Sequence, residues 1–191
     1  EIGVRLVGSE MCIRDSNYSA IDNVWLPLVG LHPETFRPIP GLADRWALSA
    51  DGKTVFYHLD PEAAYSDGRI VKAQDFLLNI CLRTSGFARD PFWTTLFRSM
   101  YDQITVYGDS IIALTLPSRG PLLPYMACAD FHPAHPGFYH DFNALFLERY
   151  QWKVPPNTGG YMVVPAKIRI GESITLALSL IHISEPTRRT P

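Results

Sequence analysis

The sequence has little charge and no long uninterrupted apolar segment. Charged residues make up 19% of its 191 residues, and the formal net charge is −2. No basic cluster indicates nucleic-acid binding, no block of like charge indicates an interaction tail, and no apolar run reaches the length of a membrane-spanning helix. Hydrophobic residues account for 47% of the chain, which is enough to form a globular core.

Catalytic motifs are also absent. The sequence has no Gly-x-Ser-x-Gly nucleophile elbow, no phosphate-binding glycine loop and no His-Glu-x-x-His metal motif. Serine, histidine and aspartate occur, but none of them lies in a local pattern that is diagnostic of catalysis. We therefore expect a protein that is not an enzyme and that carries no cofactor.

Cysteine is scarce, with only three in the chain. Cys12 lies in a leader that we discount below, Cys81 lies on the apolar side of a predicted helix, and Cys128 follows an apolar segment. Both of the latter are expected to be buried free thiols. A disulfide stays open as an alternative, because sequence alone does not place the two sulfur atoms within bonding distance.

The two ends of the chain do not read like the rest of it. Residues 1–16 and 179–191 resemble translated adapter or vector sequence, and such segments are excluded from fold reasoning. We expect a non-native leader and a non-native tail around residues 17–178, which would be an internal piece of a longer chain. If so, the lack of a recognisable signal peptide carries little information.

A β-hairpin is predicted in the first third of the chain, around the Asp51-Gly52 step. Asp-Gly favours tight turns because glycine accepts a positive φ. After this turn the side chains of Val55, Tyr57 and Leu59 alternate with polar or outward-facing neighbours, which predicts a strand. Pro61 ends the strand because proline has no N–H to donate.

Five further elements are predicted downstream. After a second Asp-Gly turn, at 67–68, apolar residues at helical spacing predict a helix through about Thr84. The apolar face of this helix is expected to contain Ala73, Phe76, Leu77, Ile80 and Cys81. Other patterns predict a helix starting at Asp90-Pro91, a hairpin around Gly108-Asp109-Ser110, and short helices at 121–127 and 143–150.

Several short segments, in this order along the chain, resemble one protein family. They are Leu28-Val29-Gly30-Leu31, the run from Pro40 to Trp46, Trp46-x-Leu-Ser-x-Asp-Gly-Lys, Tyr65-Ser-Asp-Gly, Ala73-x-Asp-Phe, Pro133-Ala134-His135, Thr158-Gly159 with Tyr161, and Gly171-x-Ser-Ile-Thr-Leu. Together they resemble the family 5 extracellular solute-binding proteins, the peptide-, nickel- and opine-type receptors of ABC importers. Within that family, the last segment is most similar to the oligopeptide and microcin-C-like branch.

The resemblance implies both a fold and a role. The fold class would be α/β, with α+β character in this fragment, and residues 17–178 would be part of the first lobe of a type II periplasmic-binding-protein-like fold. The role would be to capture short peptides or peptide-like solutes and deliver them to a membrane permease. Such a protein is periplasmic or extracellular, in some cases as a membrane-associated lipoprotein, and is expected to be a monomer. Without the second lobe, the chain alone is expected to bind ligand weakly.

Three aromatic residues are candidate ligand contacts by the same resemblance. Tyr18 precedes a helix near which the family's chain reaches the ligand cleft, and Phe92 and Trp93 lie in a region that offers aromatic contacts in peptide-binding relatives. For each of them, a place in the core or on an ordinary surface stays open as an alternative. The sequence also departs from the family pattern at Lys72, where a Ser or Thr helix cap is usual. It departs again at 157–160, where Asn and Gly replace Gly and Pro.

Two alternative functions stay open. A regulator would use the same binding lobes as a ligand sensor, and upstream sequence would distinguish it from a receptor. A metal carrier would use the loop from His132 to His140, which contains His135 and is flanked by Asp130 and Asp141. A metal site requires several ligands that converge on one position, and spacing does not establish this. We therefore assign no metal ligand.

Overall fold

A computed structural model describes residues 24–35, 37–87, 91–118, 131–150, 153–169 and 173–179. The chain divides into two compact units. We call residues 27–63 and 70–152 the sheet unit, because they contain the largest sheet. Residues 1–26, 64–69 and 153–191 form the three-segment unit.

The sheet unit contains a two-stranded and a four-stranded antiparallel sheet, with helices. In chain order, its elements are β1 (Val29–Leu31), β2 (Pro38–Pro40), β3 (Ala43–Leu48), β4 (Thr54–Leu59), α1 (Ala73–Thr84), α2 (Pro91–Met100), β5 (Gln103–Tyr107), β6 (Ile111–Thr115) and α3 (Phe146–Tyr150). β1 pairs with β2, and the four-stranded sheet has the order β3-β4-β6-β5.

Both predicted hairpins are confirmed. β3 and β4 flank the turn at Gly52, whose φ is 72°, and β5 and β6 flank the turn at Gly108, whose φ is 60°. Along β4 the residues alternate between half-buried and buried. The buried side chains of this sheet face the core as the alternation predicts, and they include Val55, Tyr57, Leu59, Ile112 and Leu114.

Helix α1 has the predicted bounds, and Ala73 and Phe76 are buried as predicted, but the rest of its buried face differs from the prediction. Cys81 is exposed, and the buried positions are Ala73, Asp75, Phe76, Asn79 and Leu82. The segment 131–135 packs here and accounts for the difference. The Asn79 side-chain amide donates to the His132 carbonyl, and the Ala134 N–H donates to the Asp75 carbonyl. The expectation that Cys81 is buried was therefore wrong.

The other helices agree in position with the sequence. α2 begins at Pro91 as predicted, and α3 begins at Phe146, later than expected from the segment at 143–150. Asn143 still acts as its cap, since its Oδ1 accepts the Leu145 N–H at 3.0 Å. The helix predicted at 121–127, Asp90 and Cys128 all lie outside the described residues.

Among its described residues, the three-segment unit contains one short antiparallel strand pair. β7 (Tyr161–Val163) pairs with β8 (Leu176–Leu178), and a 3₁₀ turn spans Pro165–Lys167. β8 begins at Leu176, the last residue of the family-like segment 171–176. Before it, Arg169 and Ser173 exchange both backbone hydrogen bonds in an isolated antiparallel bridge.

The fold class is thus mixed α/β, with antiparallel sheets and short helices. Among the described residues, no helix combines the length and the apolar character that crossing a bilayer requires. The core of the sheet unit lies where α1 contacts α2 and β5. There the ring of Phe76 stacks on that of Phe131, with centroids 5.4 Å apart.

Candidate ligand-binding surface

Helix α2 carries two of the three candidate ligand contacts. Phe92 lies in its first turn and is 61% exposed. The backbone of Trp93 belongs to the same turn, and its side chain is not among those that the structure describes. Tyr18, the third candidate, lies outside the described residues. The structure therefore places Phe92 on the surface and leaves its proposed ligand contact untested.

Two other aromatic residues of this region belong to the core instead. Phe97 and Tyr101 are buried and lie against Phe131, with ring centroids 6.4 and 5.6 Å from its ring. Phe92 lies five residues before Phe97, about one and a half turns, at the exposed start of the helix.

A second exposed aromatic pair is formed by Phe87 and Phe142, and the sequence did not reveal it. Their rings meet edge to face with centroids 5.1 Å apart, and Phe142 is 43% exposed. Phe142 also contacts Phe146, at 5.5 Å, which is buried in a cluster with Tyr150. Phe87 is five residues from Phe92, so their Cα atoms lie within about 19 Å of each other.

In the loop from His132 to His140, two of the histidine side chains lie within hydrogen-bonding distance of the loop's own backbone. His135 is buried, and its Nδ1 accepts the Phe138 N–H at 3.0 Å. His140 is exposed, and its Nδ1 lies 3.1 Å from the Gly137 carbonyl. Within the described parts of the chain, no three His, Cys, Asp or Glu side chains converge in a manner suited to a metal ion. Asp130 lies outside those parts.

An ion pair links the end of this loop to helix α3. Arg149 on α3 pairs with Asp141 at 2.5 Å, and the Asp141 N–H donates to the Tyr150 hydroxyl at 3.0 Å. Tyr139 is largely enclosed, and burial raises its pKa above the ordinary value for tyrosine. These contacts attach the end of the loop to α3.

Helix α1 begins with an unusual cap. The usual capping box has two hydrogen bonds, and one of them cannot form here because the Lys72 side chain has no acceptor. The other is present, since the Lys72 N–H donates to Asp75 Oδ2 at 3.0 Å. The β5–β6 turn adds the remaining contacts, because Lys72 Nζ lies 2.7 Å from Asp109 Oδ2 and Gln74 donates to Gly108 O at 2.8 Å. The Lys72 hydrogen bond holds the pKa of Asp109 below its ordinary value.

In the three-segment unit, the family-like turn at 65–68 packs on the segment at 157–159. The Ser66 N–H donates to Asn157 O at 2.7 Å, and the Asn157 N–H donates to Ser66 Oγ at 3.2 Å. Thr158 is fully buried, and its Oγ1 accepts the Leu26 N–H at 3.2 Å. These residues hold segments of the unit together, which is a structural role.

Comparison with known proteins supports the fold. No protein-family model matches the chain, and no curated protein matches it by sequence. It is similar to a periplasmic oligopeptide-binding protein of Borrelia burgdorferi, with 16% identity, a TM-score of 0.68, and coverage of 94% of this chain and 37% of that one. OppA of Haemophilus influenzae, in complex with the peptide RPPGFSPFR, shows 18% identity, a TM-score of 0.69, and coverage of 90% and 35%.

A structure that contains a metal chelate is similar to the same degree. NikA of Brucella suis, in complex with Fe(III)-EDTA, shows 21% identity, a TM-score of 0.66, and coverage of 87% of this chain and 32% of that one. The chain therefore has the fold of part of these solute-binding proteins, as the resemblance to family 5 predicts. It spans about a third of the length of each of them.

Proposed function

We propose that this chain is part of the substrate-binding component of an ABC importer, and that it captures short peptides or peptide-like solutes. The observation that carries the proposal is the structural similarity over most of the chain to an oligopeptide-binding protein and to OppA bound to a peptide. The absence of a catalytic motif from the sequence agrees with a role in capture and delivery. The partner would be a membrane permease, and the location periplasmic or extracellular.

The exposed ring of Phe92 supports a peptide ligand. The ring of Phe92 is 61% exposed at a helix start, where it offers a flat apolar surface to a ligand side chain. Trp93 and Tyr18 are proposed as further contacts by family resemblance. The backbone of an extended peptide would be recognised by main-chain pairing, which tolerates many side chains.

A chelated metal is the second candidate ligand, because NikA in complex with Fe(III)-EDTA has a similar fold. In that case the metal would arrive already coordinated by a small organic molecule. The described part of the chain has no cluster of side chains to coordinate a bare ion, and His135 is buried by the packing of its loop. The sequence-based hypothesis of a carrier that uses the His132–His140 loop is therefore not the one we propose.

Calorimetric titration of the protein expressed from its complete reading frame tests the proposal. We expect micromolar or tighter binding of a pool of dipeptides to pentapeptides. Phe92→Ala should raise Kd about threefold to tenfold, because an aromatic contact contributes ~0.5–1.5 kcal/mol. Leu48→Ala, which truncates another exposed apolar side chain, should leave Kd unchanged.

The competing outcomes are distinct. Binding of a nickel or iron chelate in the absence of any peptide binding would replace the first ligand class with the second. Binding of neither class would overturn the proposed function. Equal loss of peptide affinity in Phe92→Ala and Leu48→Ala would remove Phe92 from the binding surface.

A further inference from the structure

Two turns of the chain place an aspartate directly before a glycine with a positive φ. They are Asp51-Gly52, with a glycine φ of 72°, and Asp67-Gly68, with a glycine φ of 88°. In both turns the aspartate Oδ1 accepts the backbone N–H two residues further on, at 3.1 Å from Lys53 and at 3.2 Å from Arg69. This Asx turn folds the carboxyl group back over the peptide link between aspartate and glycine.

A carboxyl group in this position can react with its own main chain. The glycine nitrogen attacks the side-chain carboxyl carbon and loses its proton, the carboxyl group loses a hydroxyl, and one water leaves as a five-membered imide forms. Glycine favours the attack because no Cβ hinders its nitrogen. Water then opens the imide, and opening at the main-chain carbonyl gives isoaspartate, whose main chain is one methylene longer. The sum is an isomerisation that needs no oxidant, cofactor or enzyme.

The turn at 51–52 is restrained against this reaction. Ser49 Oγ donates to Asp51 Oδ1 at 2.5 Å and accepts the Thr54 N–H at 2.9 Å, so the carboxyl group is tied to the start of β4. The Ser49 hydrogen bond is the main cause that lowers the pKa of Asp51 below its ordinary value. An ionised carboxyl group forms the imide slowly, because its oxygen leaves as water only after protonation. Gly52 is also buried.

The turn at 67–68 lies in different surroundings. It falls outside the strands and helices, and both Asp67 and Gly68 are exposed among the described residues. A Cβ atom built on Gly68 would meet no described atom within 4 Å. The backbone movement that imide formation requires is therefore not opposed by packing around this glycine, as it is around the buried Gly52.

We propose that the Asp67-Gly68 link is a site of spontaneous isoaspartate formation in the folded protein, and that Ser49 protects the equivalent link at 51–52. The added methylene at 67 lengthens a turn that the Gly68 N–H closes by donating to Tyr65 O at 2.8 Å. The neighbouring Ser66 N–H donates to Asn157 O at 2.7 Å. Isomerisation therefore loosens the contact between this turn and the segment at 157–159 as the molecule ages.

Peptide mapping of aged protein tests the proposal. Protein from the complete reading frame is incubated in the folded state, and a reference sample is incubated in urea until isoaspartate is found at both links. Mass spectrometry with electron-based fragmentation distinguishes isoaspartate from aspartate, which has the same mass. In the folded sample, isoaspartate should accumulate at 67 and several times more slowly at 51. Isoaspartate at neither link of the folded protein, or as fast at 51 as at 67, would overturn the proposal.

Two variants test each half of the proposal, with the ratio of the two rates within one molecule as the readout. Asp67→Glu should form no isomer at 67, because its imide requires a six-membered ring that closes more slowly, and the rate at 51 should stay the same. Ser49→Ala should raise the rate at 51 severalfold and leave the rate at 67 unchanged. A general loss of stability would raise both rates together. An unchanged rate at 51, or an equal rise at both links, would show that Ser49 does not protect Asp51.

Discussion

At the scale of single residues, Gly159 and Gly160 are neighbours in very different surroundings. A Cβ atom on Gly159 would collide with the carbonyl group of Val24, whereas a Cβ on Gly160 would meet open space. The Gly159 N–H donates to that same carbonyl at 2.7 Å. The close approach of the two backbones therefore requires glycine at 159 and does not require it at 160.

Gly159→Ala is expected to destabilise the protein by about 1–3 kcal/mol, since an added methyl group forces the two backbones apart. In thermal unfolding this corresponds to a decrease in Tm of roughly 2–10 °C for a chain of this size. Gly160→Ala should leave Tm unchanged or slightly raised, because alanine lowers the entropy of the unfolded chain. Equal melting temperatures of the two variants would show that the approach at Val24 is not tight.

At the scale of elements, the hairpin turn at 108–110 completes the start of helix α1. The Ala73 N–H donates to Asp109 O at 2.8 Å, and the Asp109 carboxylate pairs with Lys72. A carboxylate near a helix start is also favoured by the helix dipole. A residue far along the chain thus supplies what Lys72 lacks as a cap.

Asp109→Asn tests this contact through its pH dependence. The pKa of Asp109 is lowered in the folded protein, first by the Lys72 hydrogen bond. A lowered pKa means that the contribution is present at neutral pH and is lost as the pH falls through the folded pKa, below about 4. We expect a decrease in Tm of no more than about 4 °C at pH 7, because both groups are exposed, and a decrease that shrinks as the pH falls through the folded pKa of Asp109.

The control for this experiment is Asp102→Asn, an exposed carboxylate just before β5. Its Tm should follow that of the unaltered protein at neutral and at acidic pH. A loss of stability in Asp109→Asn that persists after acidification would mean that the turn itself, and not the charge, is disturbed.

The elements themselves were largely predictable, because turns, strand alternation and helical spacing are local. The glycines at 52 and 68 have the positive φ expected of them, and α1 runs from Ala73 to Thr84 as predicted. The burial of Asp75 and Asn79 was not predictable. It depends on the segment at 131–135, which is distant in sequence and supplies part of their hydrogen bonding.

Prediction of the candidate ligand-binding surface from the sequence had the same limit. Sequence pattern selected Phe92 by family resemblance, but periodicity did not separate it from the buried Phe97. The edge-to-face contact of Phe87 with Phe142 joins two loops that no local pattern connects. Surfaces built from distant segments are set by tertiary packing, and in a single sequence nothing marks them in advance.

At the scale of the whole molecule, capture of a peptide and binding of a bare metal ion make opposite predictions for thermal stability. A ligand that binds only the folded state stabilises it by about 2.7 kcal/mol at a concentration 100 times its Kd. We expect a peptide pool to raise the Tm of the protein from the complete reading frame. Ni²⁺ or Zn²⁺ alone should leave Tm unchanged, since His135 is enclosed and the described residues contain no metal-binding group.

His140→Ala separates adventitious metal binding from a metal site. His140 is exposed and lies 3.5 Å from Asp141, so it is the accessible member of the loop. A rise in Tm on adding Ni²⁺ that disappears in His140→Ala, and that EDTA reverses, would restore the metal-carrier hypothesis. In the alternative outcome, peptide raises Tm, metal does not, and His140→Ala responds to peptide as the unaltered protein does. The stabilisation would then depend on the peptide and not on the histidine, and the loop would be structural.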